Sequence, residues 1–196
     1  MKNIHYIFLL FIATLSLSSC ASFSTKIIQD KTTKLTKENV QSIEGTYAIK
    51  SHKATFLSNN RKVISYTNLK RNSTIDVLTT KKMFDSLSIE KLVVDIKILK
   101  KNKITFIYRN QDSIVHKETV KLKIRGNGML HLKNRHTHIT GVPLIFGGVD
   151  ISRSRIGLST ENELFINSVH YSQRTALVLF GDDRRLNQTF YFKKVQ

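Results

Sequence analysis

Several residue types are scarce in this chain of 196 residues, and their scarcity excludes whole classes of protein. A single cysteine excludes an intramolecular disulfide framework and any metal site built from a cysteine cluster. One proline and eight glycines exclude collagen-like and proline-rich architectures. Acidic residues are also few, 14 against 32 lysines and arginines, which gives a net charge of +18. A hydrophobic fraction of 40% is nonetheless enough for the core of one domain.

The first 19 residues have the pattern of a secretory signal peptide. Lys2 provides a positive start, and an apolar run follows over residues 6–17, interrupted only by Thr14 and Ser16. The run is shorter than the roughly 20 apolar residues that span a bilayer, and no stop-transfer pattern follows it. We therefore expect residues 1–19 to be removed before the domain folds.

Leu17-Ser18-Ser19-Cys20 ends this segment and resembles the lipobox of bacterial lipoproteins. The resemblance implies cleavage before Cys20 and lipidation of that residue, so that its acyl chains hold the protein on a membrane. An ordinary signal peptide with a stray cysteine is the alternative. Ala21 follows Cys20 without a nearby acidic residue, which favours the outer membrane, facing the periplasm, in the Gram-negative class.

The composition divides the mature chain into a tether and a domain. Residues 20–39 contain the lipidated Cys20 and a mostly polar stretch without periodicity, which we expect to be flexible. Residues 40–196 are expected to form the domain.

Alternation of apolar and polar residues predicts short strands throughout the domain. The pattern indicates an all-β fold, an antiparallel up-and-down meander of eight to ten strands. We expect it to close as a barrel, with a β-sandwich as the alternative. The glycines at 147–148 are interpreted as a loop or corner, and residues 181–185 as a turn. The predicted strands cover residues 45–49, 92–98, 104–108, 120–124, 129–133, 136–140, 155–159, 164–167, 176–180 and 190–192.

Two resemblances to known families concern the body of the chain. Residues 36–47 resemble the entry of a lipocalin barrel, a helical turn leading into a strand that begins Gly45-Thr46-Tyr47. Tyr47 stands where lipocalins normally have tryptophan. Residues 143–148, 155–158 and 164–167 (PLIFGG, RIGL and LFIN) resemble uncharacterised Gram-negative lipoproteins, and this resemblance carries no known activity. The lipocalin resemblance implies a barrel that holds one small ligand.

Two functions follow from these features as hypotheses. In the first, the barrel binds a small apolar or amphipathic ligand, and its candidate lining residues are Phe106, Tyr108, Phe190 and Phe192. In the second, the barrel is packed solid, and its basic outer face binds an anionic envelope polymer or lipid. We expect no nucleic-acid partner, because most lysines alternate with core residues and so form the solvated strand face.

His131, His136 and His138 are the candidate metal ligands. His136 and His138 would share one strand face, and a turn at residues 133–135 would fold His131 alongside them. Three imidazoles with an open fourth position suit zinc. Lys133 and Arg135 would place positive charge beside such a site, and histidines on an exposed strand face explain the same pattern. We therefore predict no metal and no cofactor.

The sequence contains none of the motifs that we considered for nucleophilic catalysis, metal-dependent hydrolysis or phosphate binding. It contains no Gly-x-Ser-x-Gly elbow, no His-Glu-x-x-His and no phosphate-binding glycine loop. Asp182-Asp183 is the one adjacent carboxylate pair considered for glycoside hydrolysis, and turn chemistry beside Arg184-Arg185 explains it better. We predict a protein that is not an enzyme, with an envelope hydrolase as the least favoured alternative.

Overall fold

Antiparallel strands make up nearly all of the regular structure in the computed structural model. It describes residues 22–28, 31–57, 63–67, 91–100, 102–134, 136–142, 146–176 and 180–195. Within these ranges the chain has a 3-10 helix at Val40–Ile43 and twelve strands. The strands are β1 (Thr32–Thr33), β2 (Gly45–Ala48), β3 (Lys53–Leu57), β4 (Val63–Thr67), β5 (Leu92–Leu99), β6 (Lys103–Asn110), β7 (Ser113–Ile124), β8 (Leu130–Leu132), β9 (His136–Val142), β10 (Phe146–Ser159), β11 (Leu164–Ala176) and β12 (Phe180–Phe192).

The strand order is that of a meander, which confirms the predicted all-β, antiparallel up-and-down fold. Hydrogen-bonded neighbours follow the order β2-β5-β6-β7-β8-β10-β11-β12-β3-β4, and β1 and β9 both pair with β10. Strands β3 and β4 were not predicted, because their sequences lack a clear period-two pattern. They add a hairpin that lies beside β12.

The two ends of the meander approach each other, but the sheet is not closed by a continuous ladder. Tyr47 of β2 forms a single bridge with Lys194, beyond the end of β12. Two backbone hydrogen bonds accompany it, from Ala48 N to Lys193 O over 2.9 Å and from Val195 N to Thr46 O over 2.7 Å. The sheet therefore curls around its core and remains open.

The core lies inside the curl and is closed at one end by the chain before β2. Leu35 and Ile43 are buried there, and the 3-10 helix leads into β2 as the sequence predicted. The Tyr47 hydroxyl donates to the Ile43 carbonyl over 2.8 Å, and burial raises the pKa of Tyr47 to about 12. This end of the core is thus held by both apolar packing and a buried hydrogen bond.

Residues 20–39, which we expected to be a flexible tether, are packed against the sheet over the part that the structure describes. Ile27 is fully buried, β1 pairs with β10, and Leu35 N donates to Gly128 O over 3.1 Å. The sequence pattern concealed this packing, because only isolated apolar residues of the segment reach the sheet.

A predicted turn and a predicted loop or corner both lie within continuous strands instead. Gly147 and Gly148 belong to β10, and residues 181–185 belong to β12. A Cβ atom at Gly148 would lie 2.2 Å from the Arg174 guanidinium, so the glycine leaves room for a side chain that crosses it. The predicted strand at residues 176–180 spans the end of β11 and the start of β12, and residues 177–179 lie outside the described ranges.

Because Leu35 is packed in the core, shortening its side chain should lower the stability of the fold. We expect Leu35→Ala to lower the free energy of unfolding by about 2–5 kcal/mol, because the side chain is 1% exposed and its removal leaves a cavity. Urea denaturation followed by circular dichroism would measure it. The adjacent, exposed Lys34→Ala is the control and should change stability little. Equal effects of the two changes would contradict the assignment of Leu35 to the core.

Candidate functional site

The inner face of β10, β11 and β12 changes from apolar to polar midway along the strands. Side chains of one face occupy alternate positions in each strand. Ile156, Ile166 and Phe190 form one row of that face and belong to the core. The next row, towards the start of β10, the end of β11 and the start of β12, is polar. It consists of Ser154, Ser168 and Gln188. The apolar interior therefore ends at this row.

Charged residues follow on the same face, further towards the start of β10 and the end of β11. Arg174 Nη2 lies 2.9 Å from Asp150 Oδ2, and His170 Nε2 lies 4.0 Å from Asp150 Oδ1. A hydrogen bond from the Ser172 hydroxyl, together with the charge of Arg174, holds the pKa of Asp150 below its usual range. The Asp150 carboxylate is therefore ionised at neutral pH and already has partners.

An exposed apolar patch lies beside these polar rows. Phe56 of β3 is opposite both Gln188 and Ile64, and its ring meets the ring of Tyr66 edge-on at 5.6 Å. The exposed fractions are 41% for Ile64, 49% for Tyr66 and 43% for Leu186. We call the combined surface the mouth. Its residues are Phe56, Ile64, Tyr66, Ser152, His170, Leu186 and Gln188.

The mouth has the chemistry of a surface for amphipathic molecules. One flank offers aromatic and aliphatic side chains, and the other offers hydroxyl, amide and imidazole groups. An open groove of about 550 Å³ runs along β12, lined by His170, Leu186 and the four charged residues at 182–185. Exposed apolar residues grouped beside polar ones are typical of binding surfaces.

The four predicted ligand-lining residues lie in the core below the mouth. Phe106, Tyr108 and Phe192 are fully buried, and Phe190 is 5% exposed. The Phe190 ring contacts a mouth residue, with its centroid 5.9 Å from that of Phe56. Tyr108 stacks on His116 at 5.7 Å, and burial with the nearby charge of Glu118 raises its pKa. These four residues are therefore part of the buried core beneath the mouth, and we call them the floor.

The three predicted metal ligands are not brought together as the sequence suggested. Strands β8 and β9 both pair with β10 and follow one another along it, so His131 does not fold back beside β9. His131 is opposite Arg155, whereas His136 and His138 are opposite Ser152 and Asp150. In the described ranges, no group of three histidine, cysteine, aspartate or glutamate side chains could hold a metal ion.

A second polar centre lies on the outer face, around Arg155. This side chain is 2% exposed. Its Nε donates to Asn167 Oδ1 over 2.7 Å, its Nη2 donates to the Ser24 carbonyl over 3.0 Å, and the Phe23 ring lies 4.6 Å away. Burial lowers the pKa of Arg155 to about 10, so the group keeps its charge at neutral pH. We call residues 22–28 the strap, because Arg155 binds them to the sheet.

Further hydrogen bonds fix the strap across β10, β11 and β12. Asn187 Nδ2 donates to the Ser22 carbonyl over 3.3 Å, and the Thr55 hydroxyl donates to the Ile27 carbonyl over 2.6 Å. Asn167 connects the two centres, since its amide nitrogen donates to the Gln188 carbonyl over 2.9 Å. Backbone carbonyl groups of the strap thus accept hydrogen bonds from buried side-chain donors of the sheet.

His131 lies under the same strap and is held neutral. Its ring meets Phe23 edge-on at 5.3 Å. Burial, followed by the charges of Arg155, Arg125 and Arg153, lowers the pKa of His131 to about 4. This environment favours a neutral imidazole packed against an aromatic ring and disfavours a bound cation.

Comparisons of the chain with protein-family models, curated proteins and solved structures find no match. Within the described ranges, no helix has the length and apolar character needed to cross a membrane. Cys20 and the predicted signal peptide lie outside those ranges.

Loss of the Arg155 side chain should release the strap. We expect Arg155→Ala to lower the free energy of unfolding by about 3 kcal/mol, since buried polar partners lose their donor. Trypsin should also cleave after Lys26 or Lys31 about tenfold faster in the folded protein, because local opening becomes easier. The exposed Arg125→Ala is the control. An unchanged cleavage rate would show that Arg155 does not hold the strap.

Protonation of His131 should destabilise the fold. The unfolded chain takes up this proton near pH 6.5 and the folded chain only near pH 4. The unfolded state therefore binds more protons between these values, and stability falls as the pH is lowered through this window. Replacing His131 by Gln should flatten the decline measured between about pH 6.5 and pH 5. His138→Gln, at an exposed position, should leave it unchanged, and parallel curves for wild type and His131→Gln would refute the assignment.

Proposed function

We propose that this protein is a lipid-anchored envelope protein that binds an amphipathic ligand in the mouth and catalyses no reaction. The observation that carries the proposal is the mouth itself. Ile64, Tyr66 and Leu186 are exposed on a concave face, directly beside the polar row that ends the core. A ligand with an apolar part and a polar head would cover the first group and hydrogen-bond to the second.

The position of the strap supports a ligand drawn from the membrane. Arg185 donates to the Ser22 hydroxyl over 3.4 Å, and Asn187 donates to the Ser22 carbonyl, so Ser22 is held on the outer face of β12. Leu186 of the mouth lies between these two residues in sequence and faces the opposite side of the sheet. Cys20 precedes Ser22 by two residues, a reach of about 7 Å. Lipid on Cys20 would therefore bring this part of β12, whose inner face belongs to the mouth, close to the surface of the bilayer. The outer membrane, facing the periplasm, is the proposed location.

The charged groups near the mouth support a binding role over an enzymatic one. A general base works best with a pKa near the working pH. The pKa of Asp150 is held below its usual range by Ser172 and Arg174, and these contacts occupy the carboxylate. The Asp182 carboxylate of the pair considered for hydrolysis is bound to Arg184 Nε at 2.9 Å. Both carboxylates are held in ion pairs with arginines.

Ligand binding should depend on the exposed apolar residues of the mouth. We expect the double change Ile64→Ser with Leu186→Ser to weaken binding of a fluorescent lysophospholipid about tenfold or more, because apolar contact area is lost. A soluble form with Cys20→Ser would be titrated by fluorescence. Ile114→Ser, at a position 63% exposed on β7, is the matched control. Native mass spectrometry of the same protein should show a bound mass that organic extraction removes.

Equal affinity in the mouth variant and the control would refute the mouth as the site. A bare chain mass together with no lysophospholipid binding would refute the carrier function. The anionic-partner function would then be the better candidate, and the groove described next favours it.

A further inference from the structure

Three lysines converge on the outer face of β6 and β7. An open groove of about 420 Å³ is lined by Asn102, Lys103, Lys121, Leu122 and Lys133. Lys103 and Lys121 are direct partners in the β6–β7 ladder. Lys133 lies next to Lys121, since its backbone N–H donates to the Lys121 carbonyl over 2.7 Å. Three segments of the chain thus contribute one lysine each to the groove.

This arrangement is unfavourable for the fold taken alone. Like charges directly opposite one another in adjacent strands destabilise a sheet. In the described part of the chain, no acidic residue lines the groove, and none of the three lysines has an ion-pair partner. The positive charge is therefore left without compensation inside a concave surface.

A second groove on the outer face shows the opposite arrangement. It has a volume of about 590 Å³ and contains the acids Glu44 and Asp95 among its basic residues. Arg109 forms two contacts of 2.8 Å with the Asp95 carboxylate. Lys194 Nζ donates to the Glu44 carbonyl over 2.8 Å. An ion pair between lining residues is thus present in this groove, whereas the described lining of the lysine groove contains none.

We propose that the lysine groove is a binding site for a phosphate group, carried either by a lipid headgroup or by free phosphate. A lysine ammonium is a compact point charge that binds phosphate oxygens by charge-assisted hydrogen bonds. A multiply charged oxyanion between Lys103, Lys121 and Lys133 neutralises their mutual repulsion. The site is independent of the mouth, because it lies on the outer face of other strands. It gives the basic character of the chain a defined location.

Titration with inorganic phosphate tests the site on the whole chain with Cys20→Ser. Amide signals of residues 102, 103, 121, 122 and 133 should shift and saturate together in nuclear magnetic resonance spectra. Changing the three groove lysines to glutamine should weaken binding about tenfold. The control changes Lys31, Lys50 and Lys193, all exposed and outside the groove, and loses the same charge. It should remain within about twofold of wild type.

A single change provides a second test that does not rely on the triple variant. Lys121→Glu should raise the melting temperature in low-salt buffer without phosphate, because it converts a repulsive pair with Lys103 into an attractive one. The same change should abolish the rise in melting temperature that phosphate gives the wild type.

Vesicles separate the two sources of phosphate. Phosphatidylcholine vesicles containing phosphatidic acid should retain the wild type and release the triple groove variant if the site takes a lipid headgroup. Binding of inorganic phosphate without vesicle retention would assign the site to free phosphate. Shifts that never saturate, or an equal loss in the groove and control triples, would overturn the proposal in favour of diffuse surface charge. The triple groove variant keeps every mouth residue, so its affinity for lysophospholipid tests the mouth without the groove.

Discussion

The unbroken register of β10, β11 and β12 is the constraint on which the other features depend. Each adjacent pair keeps thirteen consecutive partners without a bulge. Alternation therefore sends Ile166 to the core, Ser168 to the polar row and His170 to the mouth, while Phe165 and Asn167 face outward under the strap. The inner face of these strands contributes Phe190 and Phe192 to the floor and several residues to the mouth. The outer face packs against the strap. Neither surface could change its pattern independently, because the same strands carry both.

Arg155 shows how polar groups on the outer face are used. A buried cation is costly unless its donors are satisfied, and its described partners are an amide oxygen, a carbonyl and an aromatic ring. Two of the three come from the strap. The strap is consequently part of the domain. A lipid on Cys20 would be two residues away from the strap, so the linker between lipid and domain would be very short. This is a different mechanical arrangement from a domain on a long spacer.

The sequence predicted the fold class well and the candidate site poorly. Alternation in the segments around Val94 and Leu122 is local information, so these strands were found. The packing of the N-terminal segment was missed because Ile27 and Leu35 are separated by polar residues and show no period. The mouth was missed because Gly148 and the charged residues after Phe180 are typical of turns, and only pairing with neighbouring strands makes them β-structure. Ser152 and Ser154, or Ser168 and His170, do alternate with outward residues, and that pattern was the available signal. Which lysines meet in a groove depends on register, and no local pattern contains it.

The strap also determines when this chain can fold. Ser22 and Asn187 are 165 residues apart in sequence, and Ser24 and Arg155 are 131 apart. Ser22 therefore gains these partners only when nearly the whole chain is present. Contacts of such long separation slow folding, because the entropy of closing the loop is lost before the contacts form. The strap would consequently be among the last elements of the chain to dock, because β10 and β12 must form before it.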